Sequence, residues 1–173
     1  MDDRIGSEFA RPGGPLGVLL DYACRSFAIG GGLVLAAMAL MSVVSVVGRA
    51  TFGKPVVGDF ELVQLGCAIS VSMFLPYCQM IRGHVIVDFF TAGLGRRARA
   101  FLDAFAAIVL AAVAFLVTWR LSVGMVEIRG TGDSSMLLRI PTWYAFVPMV
   151  PSFFLLGAAA LYTMFINLLQ VRE

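Results

Sequence analysis

FAIGGGLVLAAMALMSVVSVV, Phe27 to Val47, contains no charged residue and no proline. It matches the roughly 20 residues with which an α-helix crosses about 30 Å of hydrocarbon. Three comparable, nearly uninterrupted apolar runs follow, Leu62 to Ile81, Phe101 to Trp119 and Tyr144 to Leu169. The 173 residues are 60% hydrophobic and 14% charged, which is more apolar surface than a water-soluble domain of this size hides. Backbone amides in lipid must be bonded within their own segment, so the runs read as helices. The expected fold is an all-α integral membrane protein with four transmembrane helices, occupying residues 23–173. Residues 1–22 form a Gly-rich, charged tail expected to be mobile or interfacial, with Leu16 to Tyr22 feeding the first span. That first run is too long for the 7 to 15 residue apolar region of a secretory signal, so it is expected to be retained.

Basic residues set the expected orientation. The tail, the second loop and the C-terminus carry eight arginines, among them Arg25, Arg82 and the cluster Arg96, Arg97 and Arg99. The first and third loops carry Arg49, Lys54, Arg120, Arg129 and Arg139. The excess places both termini in the cytoplasm and the first and third loops outside.

Chemistry finds little support. Cys67 and Cys78 stand about 16 Å apart along one helix, too far for a disulfide, and the expected outward loops contain no cysteine to relay electrons. A haem held across a bundle needs several histidine or methionine ligands in the spans, whereas His84 is the one histidine and lies between them. His84 and Asp88 share a helical face, but two donors do not make a metal site. No nucleophile motif or phosphate-binding glycine loop is present, and Gly30 to Gly32, inside an apolar run, fit close helix packing. No catalytic residue, cofactor, metal or nucleic-acid partner is expected.

At 100° per residue, Glu61, Gln64, Ala68, Ser72, Leu75, Gln79 and Arg82 share one sector of the second span. That face is polar at its ends and small in its middle, which suits contact with protein, inside the bundle or on a partner. No run carries an ionisable group at its centre: Asp59 and Glu61 open the second helix, where the dipole favours acids, and Asp103 and Arg120 bracket the third. A transport path within this chain alone is therefore not expected.

These residues carry a resemblance. Arg49 followed by Phe52 and Gly53, the acid Glu61, the block Arg82, Gly83, His84, Val87 and Asp88, a basic cluster, and Ile140, Pro141 and Trp143 before the last span occur in that order. Over about residues 27 to 169 the chain resembles the small membrane subunit, DctQ-like, of tripartite ATP-independent periplasmic (TRAP) transporters. The resemblance implies a non-enzymatic scaffold in the bacterial inner membrane. It also implies two partners, a larger elevator-type subunit and a soluble periplasmic substrate-binding protein, with sodium gradients driving uptake of organic acid anions. The alternative is a self-assembling four-helix membrane protein or small exporter without a large partner.

Under this reading HVIVDFF, His84 to Phe90, forms a short cytoplasmic-side interfacial helix, with Val85, Ile86, Phe89 and Phe90 dipping into the bilayer edge while His84 and Asp88 stay near water. Gly93 and Gly95 permit a turn, and Arg97 and Arg99 meet acidic headgroups at the start of the third helix. Arg49, Glu61, Gln64, Ala68, Ser72, Gln79, Arg82, His84 and Asp88 are the candidate contacts with a partner or with membrane lipids. Lys54, Arg129 and Arg139 in the outward loops are candidates for receptor docking through charge.

Overall fold

A computed structural model describes residues 15–53, 57–81 and 96–170; the side chains of 15, 96–101, 103 and 166–170 are not described. Lys54, Arg82, His84 and Asp88, and the expected interfacial helix that contains the last two, lie outside the described residues. Four helices account for nearly all of the rest: α1 (Pro15–Phe52), α2 (Asp59–Met80), α3 (Arg96–Thr131) and α4 (Trp143–Gln170). All four are long and apolar enough to cross a membrane. The protein is all-α, and it is a multi-pass membrane protein.

Two helices exceed the apolar runs that announce them. α1 spans 38 residues, so Leu16 to Tyr22 are its opening turns. α3 spans 36 residues and continues to Thr131, well past Arg120. At 1.5 Å per residue each is more than 50 Å long, beyond the roughly 30 Å of hydrocarbon. Glycine follows each of them: Gly53 (φ 64) comes after α1 and Gly132 (φ 72) after α3, both left-handed, and the Gly132 amide donates to the Ile128 carbonyl at 3.1 Å. α2 runs through Pro76, and α4 through Pro148 and Pro151, as continuous helices.

The helices stand in an open row in the order α1, α2, α4, α3. α1 packs along α2, α2 along α4 and α4 along α3, whereas α1 touches α4 only lightly. The expected bundle is therefore not closed around a common core. In lipid, apolar side chains gain nothing by leaving the solvent, so helices join only where backbones come close or polar groups bond.

Each seam meets that condition. Between α1 and α2, a side chain added at Gly31 would lie 3.0 Å from Cβ of Met73, and one at Gly66 would lie 2.5 Å from Cγ of Met38. Gly30 faces Met73 as well, but Gly32 meets nothing within 4 Å, so two of the three consecutive glycines serve packing. Between α3 and α4, Ala104, Ala107, Ala111 and Ala114 form a buried stripe at alternating steps of three and four. Phe115 closes over Gly157 and meets Phe154 edge-on at 5.8 Å. Between α2 and α4, the buried Gln79 amide donates to the Thr163 hydroxyl at 3.0 Å. α4 is packed on two sides, and Ala159 and Ala160 are fully buried.

Replacing Gly66 by Leu should destabilise the α1–α2 pair by about 1–3 kcal/mol, the usual penalty of overpacking. Gly32→Leu, adding the same volume where space is open, should leave stability nearly unchanged. Thermal unfolding of the two variants in detergent, followed by circular dichroism, measures the difference.

Candidate functional site

The sequence places two acids one residue apart at the start of α2, Asp59 and Glu61. Positions i and i+2 on a helix point about 200° apart, so the two carboxylates face in nearly opposite directions. Each finds its own partner. Asp59 turns to α1: its Oδ2 accepts the Ser45 hydroxyl at 2.5 Å and lies 3.5 Å from the Arg49 guanidinium, while its Oδ1 accepts the Phe60 amide at 2.8 Å. Ser45 is buried and Arg49 is exposed, so the inner half of this contact is shielded and the outer half is wet.

Glu61 turns to the loop between α3 and α4. Its carboxylate accepts the Ser135 hydroxyl, the Leu137 amide at 3.2 Å and the Leu138 amide at 3.4 Å. The loop is already folded on itself: Thr142 donates to the Asp133 carbonyl at 3.1 Å, Ser135 to Ile140 at 2.9 Å, and Arg139 to Ser135 at 3.1 Å. A bridge between Ser134 and Pro141 completes the hairpin-like closure. The amides of Leu137 and Leu138 are left pointing at Glu61, and a carboxylate is the acceptor that holds them most strongly.

Gly58 makes this seating possible. It caps α2 with φ 76, and any side chain there would come within 2.5 Å of Leu138 Cγ. The left-handed backbone and the close approach of Leu138 both call for glycine. Arg139 also has positive φ, 52°, a conformation that costs a side-chain-bearing residue about 1–2 kcal/mol. With Ser135 and the backbone amides turned to Glu61, the loop also shows apolar side chains outside: Met136 is 95% and Leu137 63% exposed. Beside it the Arg129 guanidinium lies 5.3 Å from the centre of the Trp143 ring, which stacks on Tyr144 at 4.2 Å. The site is thus a hydrogen-bonded cap that joins α1, α2, α3 and α4 at one end of the row.

The candidate residues divide between this cap and the helix faces. Arg49, Glu61, Arg129 and Arg139 lie at the cap, and all but Glu61 are exposed. Ser72 and Gln79 are buried within the chain, Gln79 against Thr163 and Ser72 bonded to the Ile69 carbonyl at 2.7 Å. Gln64 and Ala68, expected on the same sector, are exposed on the open side of α2. Several contact residues were not anticipated from sequence: Ser45, Ser135, Gly58 and Thr163. Asp59 was legible as a helix-start acid, and the spacing of Ser45 and Arg49 by four residues puts both on one side of α1, but their pairing needed the α1–α2 register.

Four apolar helices, with the described polar groups of this end bonding helices and a loop to one another, define a multi-pass membrane protein. The family model for the DctQ component of tripartite ATP-independent periplasmic transporters matches residues 38–170. The chain belongs to that family and is a small component of a TRAP transporter. No curated protein and no solved structure matches the chain.

Changing Glu61 to Ala should release the loop. Amide hydrogen exchange at Leu137 and Leu138 should speed up several-fold, whereas Arg49→Ala, which acts on Asp59, should leave those amides protected. Exchange followed by mass spectrometry distinguishes the two.

Proposed function

We propose that this chain is a fixed scaffold of a sodium-driven TRAP transporter in the bacterial inner membrane. It holds a larger elevator-type membrane subunit in place and helps dock the periplasmic substrate-binding protein during uptake of organic acid anions. The observation that carries the proposal is the open row itself. Its helices stand side by side, α4 carries no charged residue along its length, and α2 carries none between Glu61 and Arg82. A substrate path would need ionisable or polar groups facing one another at mid-membrane. A moving subunit needs instead a broad stationary surface. The exposed apolar length of α1, and Gln64 and Ala68 on the open side of α2, offer such a surface. Family membership supports both partners, since the component is one of three.

Receptor docking is assigned to the cap. Arg129, in the last turn of α3, and Arg139, on the loop that Glu61 bonds, are both exposed, and Arg139 occupies a backbone position where glycine would be less strained. Lys54 belongs to the same group of charges on the sequence reading. Both termini are cytoplasmic, which puts the cap outside and leaves Arg82, His84 and Asp88 to face inner-leaflet headgroups or the larger subunit.

Reconstitution in liposomes with a sodium gradient tests the scaffold. Uptake by the larger subunit and receptor should fall strongly when this chain is omitted, with substrate preference unchanged. Changing Arg129 and Arg139 to Glu should slow uptake most at low salt, because rim charges act through unscreened attraction. Full uptake without the chain, or an altered preference in the loop variant, contradicts the proposal; a clean self-oligomer with no co-purifying subunit favours the exporter-like alternative.

The orientation has its own test. Cys24 is fully buried and a poor reporter, so Ser26→Cys and Asp133→Cys, both at exposed positions, should be compared in intact cells. An impermeant thiol reagent should reach position 133 and spare position 26.

A further inference from the structure

α3 continues 11 residues beyond Arg120, to Thr131, so that arginine does not end its span. The register of α3 on α4 is fixed by Gly124 facing Phe146 and by Arg129 over Trp143. Arg120 therefore stands about 13 Å deeper than Arg129. Carried across to α2 through Phe115 on Gly157 and Gln79 on Thr163, its level falls about two turns inside the α2 N-terminus. The apolar run of α2 begins at Leu62, so the Arg120 backbone lies roughly 6–9 Å inside the apolar zone.

Its direction is as telling as its depth. At 100° per residue Arg120 points opposite the alanine stripe that packs on α4, and it is exposed. The line it shares on α3 runs through Leu102, Phe105, Val109, Val113, Leu116 and Val123, all exposed. Among the described residues no carboxylate pairs with it. A guanidinium in hydrocarbon requires an anion, and its long stem lets the head rise toward the interface.

We propose that Arg120 binds the phosphate of a phospholipid in the leaflet at the Asp59 end of the helices, with the acyl chains lying along Val113 and Leu116. A carboxylate on another protein is the competing anion, and the composition of the face decides against it. The described seams of this chain are built on buried glycine and alanine or on the buried Gln79–Thr163 pair, whereas on this face a single exposed alanine, Ala106, stands among the larger Leu102, Phe105, Val109, Val113 and Leu116. Trp119, 69% exposed beside Arg120, shows a large amphipathic ring, whose N–H can turn toward the same headgroups, on the neighbouring face of α3. The outer side of α3 is thereby assigned to lipid, leaving partners to the other surfaces of the row. This assignment holds whether or not the scaffold reading does.

Two measurements test it. A photo-crosslinking amino acid at Leu116, in the otherwise unchanged chain irradiated in native membranes, should give adducts of phospholipid mass. A protein-sized adduct would overturn the proposal. Purified, delipidated chain titrated with phosphatidylglycerol and followed by native mass spectrometry should bind about fivefold more weakly as Arg120→Gln, the loss set by one basic residue near a membrane surface. Arg120→Lys should retain most of the binding, and diacylglycerol, which lacks the phosphate, should not distinguish the variants. Equal phosphatidylglycerol binding by Arg120→Gln and the unchanged chain would also overturn it. If Arg120→Gln does not accumulate, the Leu116 adduct decides the question.

Discussion

Close approach of backbones is the constraint on which this molecule depends. In water a leucine stripe would drive helices together, but lipid tails solvate leucine as well as another leucine does. What remains is contact made possible by the absence of side chain, which two of the three seams use, while the α2–α4 seam is bonded by Gln79 and Thr163. Gly31 and Gly66 accept methionines from the facing helix, four alanines make a shallow track on α3, and Gly157 accepts the Phe115 ring. Because each seam is a strip on one side of a helix, the helices join edge to edge. An open row is the natural product.

The two acids of α2 extend that logic to the end of the row. A single carboxylate could not serve both neighbours, because side chains on a helix cannot turn through 200°. Spacing Asp59 and Glu61 by two residues lets α2 grip α1 with one and the α3–α4 loop with the other. The negative charges also lie where the helix dipole favours them. Stability and the shape of the outer surface are therefore set by the same short segment, Gly58 to Glu61.

Much of this was legible in the sequence, for reasons that also explain what was not. Apolar runs report the presence of spans directly, because the requirement for internally bonded backbone leaves helix as the solution. They report helix ends poorly. RLSVGMVEIRGT, from Arg120 to Thr131, is too polar to count as a span, yet it stays helical and lays Gly124 on Phe146. The glycines at 30 and 31 were readable as packing positions, but only the register distinguishes them from Gly32. On α2 the small-and-polar sector is split: Ser72 and Gln79 turn to protein within the chain, while Gln64 and Ala68 do not. A helical wheel cannot show that split, since it knows the angle of a residue and not the position of its neighbours. Glu61 was singled out for its place at a helix start, but its partners Ser135, Leu137 and Leu138 are more than 70 residues away and carry no local signal.

The Gln79–Thr163 bond links residues 84 positions apart, and the chain is made from one end. At the usual 5–20 residues per second, roughly 4 to 17 s of synthesis separate the appearance of the amide from that of its acceptor. During that interval α2 carries a glutamine side chain with nothing from α4 to bond. The bond to α4 closes only once the last helix has emerged. The third helix, which separates the two partners in sequence, ends up at the edge of the row, so α4 is the helix that joins it to the α1–α2 pair. Completion of the row thus waits on its last helix, which has a neighbour to meet on each side.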